Sequence, residues 1–226
     1  MIRLPYEKKV YSQHYEDGIL EFLVNIVQPK RKTFLEIGWG NGMTNCCRYL
    51  LEDLGFSGTG FDLRESKLVH PRLTSHVKFL SLDDVDLVLS TQGSEPTVFS
   101  LDIDSFDWHL LKAMLAQGFN PDIIVHEYNS HFGPEWAYTR RTGSDVQYDG
   151  KVKFGASLGA YRKLLEPNYT FVTVDSTGVN AFWIKNLYHL PADTITHQYN
   201  FHKGAQKNFD RGLDFLLSLD NGWEAV

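Results

Sequence analysis

The stretch TFLEIGWGNGMT, Thr33–Thr44, decides the fold. It opens as a short apolar run, the signature of a buried strand, and runs straight into Gly38, Gly40 and Gly42. Glycines at a strand-to-helix joint let the backbone turn tightly and approach a ligand closely. The dinucleotide fingerprint G-x-G-x-x-G would need a glycine at position 43, where Met43 stands. Glu36 precedes the first glycine by two residues; its carboxylate can accept hydrogen bonds from an ammonium and would repel a pyrophosphate. About two dozen residues on, GTGFD (Gly58–Asp62) reads as a strand ending in an acid, where nucleotide-binding sheets place a ribose-binding carboxylate. Glu36 and Asp62 together fit an adenosine ligand with a positive, phosphate-free tail.

Outward from this turn, short apolar runs alternate with amphipathic ones. DGILEFLVNIV (Asp17–Val27) has helical spacing, and MTNCCRYLLEDLG (Met43–Gly55) reads as a helix stopped by Gly55. VKFLSL (Val77–Leu82), TVFSLDI (Thr97–Ile103) and DIIVHEYN (Asp122–Asn129) read as further strands, with the helix DWHLLKAMLAQG between the last two. Strands separated by helices predict parallel pairing with right-handed crossovers. A helix follows at Ser157–Pro167. YTFVTVD and VNAFWIK, separated only by STG, then require an antiparallel hairpin. The reading is one domain over 1–226, with an N-terminal cap helix (1–30), a lid or acceptor loop (130–156) and a helical tail (186–226). The tail spaces Phe209, Leu213, Leu216 and Leu217 helically and is expected to pack on the domain or on a second copy, as in a homodimer.

The 226 residues are 42% hydrophobic and 22% charged, which is ordinary globular composition and enough chain for a sizeable core. The net charge of -6 disfavours nucleic acid as the main partner. PKRK (Pro29–Lys32), the densest basic cluster, reads as a solvated helix-to-strand loop. Cys46 and Cys47 are adjacent, which suits reduced, buried helix residues and a cytoplasmic protein. No signal-peptide core and no membrane-length apolar run is visible, so neither secretion nor membrane insertion is expected.

EIGWGNG, with Asp62 and the closing hairpin, resembles the class I S-adenosylmethionine-dependent methyltransferases, whose first motif is acid-x-G-x-G-x-G. The likeness runs from Ser12 to about Lys185. Within that superfamily, SQHYEDGILEFL, FGASLGAYRKLL and GVNAFWIK are similar to the FkbM-type group. The resemblance implies an α/β, Rossmann-like doubly wound fold. Its mostly parallel seven-stranded sheet would end in an antiparallel C-terminal hairpin. It also implies S-adenosyl-L-methionine as cofactor, held by Glu36, Gly38, Gly40, Gly42 and Asp62. Asp83 would lie near adenine and Asp102 at the methionine end. A small-molecule or sugar-like hydroxyl acceptor is the expected substrate.

The strand ends carry further chemistry. In open parallel sheets ligands sit beyond the carboxyl ends of the strands. Asp102 and Asp104 arrive there from one strand, and Glu127 and Asn129, two residues apart, from the next. Hard oxygen ligands suit Mg²⁺ or another divalent cation. Asp104, Glu127 and Asn129 are the candidate ligands, similar to those of catechol-type O-methyltransferases. There the acid and amide are adjacent, whereas Tyr128 separates them here. A metal-free polar site and plain capping stay open as alternatives, and Asp107 is the expected helix cap. His131, then His126, are the candidate general bases, with Asp104 beside them. Trp136, Tyr138, Tyr148, Arg140 and Arg141 would face the acceptor from the lid. Gln13, His14 and Asp17 would cover the cofactor. Asn180 is expected to finish a hairpin turn. Two other readings stay open: a metal-dependent hydrolase or oxygenase on the same edge, and a catalytically silent cofactor-binding module.

Overall fold

The computed structural model describes residues 3–143 and 152–226. In chain order it runs α1 (Glu16–Val27), β1 (Thr33–Ile37), α2 (Arg48–Glu52), β2 (Ser57–Asp62) and β3 (Leu73–Val77). Next come α3 (Val85–Gln92), β4 (Val98–Leu101), α4 (Asp107–Ala116), β5 (Ile123–Glu127) and β6 (Tyr138–Arg140). The chain closes with α5 (Leu158–Leu165), β7 (Tyr169–Val174), β8 (Asn180–Lys185), α6 (Ala205–Phe209), α7 (Leu213–Ser218) and β9 (Trp223–Ala225). Seven strands form one sheet in the order β3-β2-β1-β4-β5-β8-β7. The first five pair in parallel, and β8 is antiparallel to both β5 and β7. This is the doubly wound, mostly parallel fold expected from the sequence.

Both faces of the sheet are buried because its central strands are apolar on both sides. Phe34, Val98, Ile123 and Val125 face a cluster filled by Ile19, Leu20 and Leu23 of α1 and Leu50 and Leu51 of α2. Leu35, Ile37, Phe99 and Ile124 face the opposite cluster, with Leu110, Leu111 and Met114 of α4 and Leu158 and Tyr161 of α5. Phe132, Leu216 and Trp223 centre a third, smaller cluster.

Several boundaries differ from expectation. The third strand lies at Leu73–Val77, not Val77–Leu82. It is the sheet edge and half-exposed, so its pattern is weak, and beyond it the Lys78 N–H turns onto the Asp62 carbonyl at 2.8 Å. Of Met43–Gly55 only Arg48–Glu52 is α-helical, because Glu36 draws the Cys46 and Cys47 N–H groups toward the sheet. Helix α3 was not anticipated from the sequence. The tail divides at Gly212 into two short helices and then adds β9, which pairs antiparallel with β6. It packs on the chain's own domain through the third cluster. Among the described residues, no helix is long and apolar enough to cross a membrane.

Candidate functional site

Strands β1 and β4 lie side by side while the strand order runs in opposite directions from them, so their carboxyl ends open a crevice. Gly38 sits at its base with φ 97°. A Cβ there would lie 1.8 Å from the Asp102 carbonyl oxygen, so only glycine fits. The Gly40 N–H donates to Asp62 Oδ2 at 2.7 Å, while Asp62 Oδ1 accepts from the Arg64 N–H at 2.8 Å. Asp62 thus ties the glycine turn to the end of β2. The Gly42 N–H closes the turn on the Trp39 carbonyl at 3.2 Å. Glu36, buried under the turn, accepts from the N–H groups of Cys46 (3.1 Å) and Cys47 (2.8 Å) and from Asn45 Nδ2 (3.3 Å). Burial pushes its carboxyl up to about 7.

Three cavities meet along this edge. One of about 550 Å³ lies beyond β2, β3 and β4, between Asp62, Lys78, Phe79, Leu80 and the Asp102–Phe106 turn. Phe79 is 55% exposed at its mouth and meets Phe106 edge-on. A polar cavity of about 420 Å³ shares Gly38, Asp62, Arg64, Asp102 and Asp104 with the first, and adds Gln13, His14, Glu16, Glu36, Gly40, Asn45 and Asn180. A third, of about 610 Å³, shares His14, Glu127 and Val179 with the second. Its own wall includes His131, Phe154, His202, Lys203 and Asn208.

At the junction, Asp102, Asp104 and Glu127 each offer an oxygen, all within 4.8 Å of one another. Asp104 is held at φ 56°, a strained conformation for a residue with a side chain, which turns its carboxylate into the cleft. Asp107 fixes that turn: Oδ1 accepts from the Ile103 N–H at 2.9 Å and Oδ2 from the Ser105 N–H at 2.8 Å. It occupies the first residue of α4 and straps the preceding loop, so the cap expected of it is directed at the loop and not at the helix. Desolvation raises the carboxyls of Asp102, Asp104 and Glu127, and mutual repulsion among the acids adds to the rise at Asp102 and Glu127. Asp102 still meets solvent in the cleft, but the apolar walls and neighbouring acids dominate. Glu127 Oε2 is buried without a hydrogen-bond partner. Three hard oxygen donors, one of them bare, fit Mg²⁺, Mn²⁺ or Ca²⁺.

Asn129 does not belong to this set. Its Nδ2 donates to the Val152 and Phe154 carbonyls at 2.7 and 2.9 Å, and Oδ1 accepts from the His131 N–H at 3.1 Å. Asp102 takes the third place. His126 is also displaced from the site. It is buried in the sheet, stacked on Tyr161 at 3.5 Å, with Nε2 accepting from Trp183 Nε1 at 2.9 Å and Nδ1 against the Glu127 carbonyl at 3.0 Å. Burial pushes it down to about 3, so it stays neutral inside the core. Asp83 is exposed on the one-turn helix Leu82–Asp84 and is not among the residues lining the three cavities. The acids of that turn cap it, through Asp84 and Ser81.

His131 does line the third cavity, its Nδ1 held by Asn208 Nδ2 at 3.0 Å, and burial pushes it down to about 4. Gln13 and His14 line the polar cavity. Asp17 instead accepts the N–H groups of Val10, Tyr11 and Ser12 and braces the N-terminal loop. Arg140 is buried, paired with Asp220 and lying over Trp223, so it is a structural cation and not an acceptor contact. Trp136 packs on Phe209 and Tyr138 stacks on Phe132, while Arg141 is exposed with its N–H on the Gly222 carbonyl. Tyr148 lies outside the described residues. Asn180 finishes the hairpin through its N–H to Asp175 Oδ2, and its amide also reaches Glu16 Oε1 at 2.9 Å inside the polar cavity. Glu16, Asn45, Phe79, His202 and Asn208 were missed as cavity-lining residues. Only Glu16 had a signal, standing in the SQHYEDG stretch with Gln13 and His14.

No protein-family model and no curated protein matches the chain. Solved structures do resemble it. An O-methyltransferase from Bacillus cereus in complex with SAH is 16% identical, over 80% of this chain and 83% of that one, with a TM-score of 0.48. The O-methyltransferase TomG from Streptomyces achromogenes in complex with SAM is 16% identical, over 75% and 79%, also at 0.48. The methyltransferase MycE in complex with Mg, SAH and mycinamycin VI is 11% identical, over 90% and 52%, at 0.43. Likeness at this level is distant, and the functional reading rests on the chain's own cleft.

Proposed function

We propose that the chain is an S-adenosyl-L-methionine-dependent methyltransferase. It methylates a hydroxyl oxygen of a small-molecule or sugar-like acceptor, with a divalent cation at Asp102, Asp104 and Glu127. The observation that carries this reading is the charge of the cleft. Glu16, Glu36, Asp62, Asp102, Asp104 and Glu127 line the polar cavity against the single guanidinium of Arg64. A pyrophosphate would be repelled there, and a sulfonium with an ammonium beside it is attracted. The apolar cavity next to it suits a purine between Phe79, Leu80 and Phe106, with Asp62 in reach of ribose hydroxyls. The FkbM-like stretches SQHYEDGILEFL and GVNAFWIK frame the same cleft and favour that subgroup.

When bound, the donor supplies a methyl group on a positive sulfur, and transfer is an in-line displacement in which the C–S bond breaks as the O–C bond forms. The protein's part is alignment. The glycine turn and Asp62 fix the adenosine end. The third cavity receives the acceptor with its hydroxyl toward Glu127. A cation on the three carboxylates would favour the ionised acceptor oxygen. His131 lines the third cavity, but Asn208 Nδ2 donates to its Nδ1, so the neutral ring carries its hydrogen on Nε2 and can donate to the acceptor without taking its proton. Asp104, the other candidate base, is left to take the hydroxyl proton. The test is transfer of a labelled methyl group to a panel of hydroxyl acceptors. Incorporation should need Mg²⁺ or Mn²⁺, fall with EDTA and drop at least about 100-fold in Glu127→Gln. Tight cofactor binding with no incorporation into any acceptor would instead favour a silent binding module.

A further inference from the structure

The polar cavity holds two buried acids, Glu16 and Glu36, that the displacement step itself does not use. Glu16 and Glu36 stand on either side of Cys46, whose N–H donates to Glu36 Oε1 at 3.1 Å and whose thiol donates to Glu16 Oε1 at 3.8 Å. Both carboxyls are nearly inaccessible, 3% exposed each. Their partners are neutral: backbone N–H groups, the Asn45 and Asn180 amides and the thiol. The cavity's guanidinium, Arg64, is bonded to Asp62. Burying a carboxylate without a cation is costly, and two face one space here. A second, independent feature points the same way. Asn45 is 7% exposed and lines this cavity, yet its Oδ1 has no hydrogen-bond partner. The cavity therefore offers one buried acceptor that lacks a donor, Asn45 Oδ1, beside two acids that lack a cation. An ammonium group has three N–H donors and no acceptor, the complement of that set.

We propose that Glu16, delivered by the N-terminal segment, joins Glu36 and Asn45 Oδ1 in holding the α-ammonium group of the methyl donor. This rests on the donor being S-adenosylmethionine. The glycine motif alone assigns the amino-acid end to Glu36. The structure adds a residue twenty positions earlier, ahead of the sheet. Tyr15 at φ 71° turns the chain so that Glu16 enters the cavity, and the His14 N–H (2.5 Å) and the Asn180 amide hold it there. The segment before α1 is then part of the donor site. Burial, with the carboxylate of Asp175 adding to it, lifts Glu16 to about 8, and burial lifts Glu36 to about 7, which leaves both partly protonated in the free protein. A bound ammonium favours their ionised forms, so binding should release protons near neutral pH.

The test compares S-adenosylhomocysteine with 5′-methylthioadenosine, which keeps the adenosine and the sulfur but lacks the amino-acid end. In Glu16→Gln, S-adenosylhomocysteine should bind at least about tenfold more weakly, and 5′-methylthioadenosine within about twofold of wild type; the latter also shows that the variant folds. In wild type, calorimetry at pH 7.5 in two buffers of different ionisation enthalpy should show proton release with S-adenosylhomocysteine and none with 5′-methylthioadenosine. Unchanged S-adenosylhomocysteine affinity in Glu16→Gln, equal weakening of both ligands, or equal proton release by both overturns the ammonium site while leaving the donor assignment standing. Failure of wild type to bind either ligand contradicts the donor assignment itself.

Discussion

Asn129 holds the Val152 and Phe154 carbonyls with its amide, while Glu127, two residues earlier, leaves Oε2 bare in the cleft. The two side chains therefore separate stability from ligand binding. Asn129→Ala removes the two hydrogen bonds to the Val152 and Phe154 carbonyls and the acceptor of the His131 N–H, and should cost about 1–3 kcal/mol in denaturant unfolding, with Mg²⁺ or Mn²⁺ affinity within a few-fold of wild type. Glu127→Gln should remove measurable cation binding at little cost in stability. The reverse pattern would restore Asn129 as a ligand. Strand alternation placed Glu127 and Asn129 on one face, but β5 ends at Glu127 and Asn129 begins the one-turn helix Ser130–Phe132, so the parity argument expires between them. His126 shows the matching limit. Its parity is visible in the sequence, but the Trp183 indole that occupies its Nε2 comes from a strand 57 residues away.

The joint between β4 and α4 is an element built to present one carboxylate. Asp107 accepts two N–H groups of the loop and so fixes Asp104 in a conformation that side chains avoid. Asp107→Ala should cost about 1–3 kcal/mol, because the buried Ser105 N–H and the part-buried Ile103 N–H lose their acceptor. It should also weaken cation binding, although Asp107 touches no ligand. Thermal melts paired with Mg²⁺ titration check this, and an unaltered titration would separate the strap from the cation site. Crowding of the three acids was plain in the sequence. Their division of labour was not, because a cap aimed at the helix and a strap aimed at the loop share the same residue spacing. Glu36 likewise shortens α2 by claiming the N–H groups of Cys46 and Cys47, a tertiary contact that no local pattern contains. Edge strand β3 slid from its expected place because three of its five residues face water and none is fully buried.

For the whole molecule, alternation of strand and helix plus the STG-linked hairpin was enough to read a mostly parallel sheet closed by an antiparallel hairpin, and the resemblance to the methyltransferases supplied its seven strands. The strand order was not legible, because the chain passes from edge strand β3 back to β4 at the centre of the sheet, a placement no local pattern contains. The small β6–β9 sheet was not legible: two three-residue strands more than eighty residues apart carry no local signature. With the third apolar cluster it seats the tail, whose His202, Lys203 and Asn208 line the third cavity. The glycine turn and Asp62 were readable, and with the crevice between β1 and β4 they carry the central claim that this edge binds the adenosine of a methyl donor. Calorimetric titration of S-adenosylhomocysteine into wild type and Asp62→Ala tests that claim most directly. The account predicts one site per chain in wild type and at least about tenfold weaker binding in the variant, since Asp62 anchors the Gly40 turn and would hold the ribose hydroxyls. Absence of binding to wild type, or equal affinity in the two proteins, would contradict it.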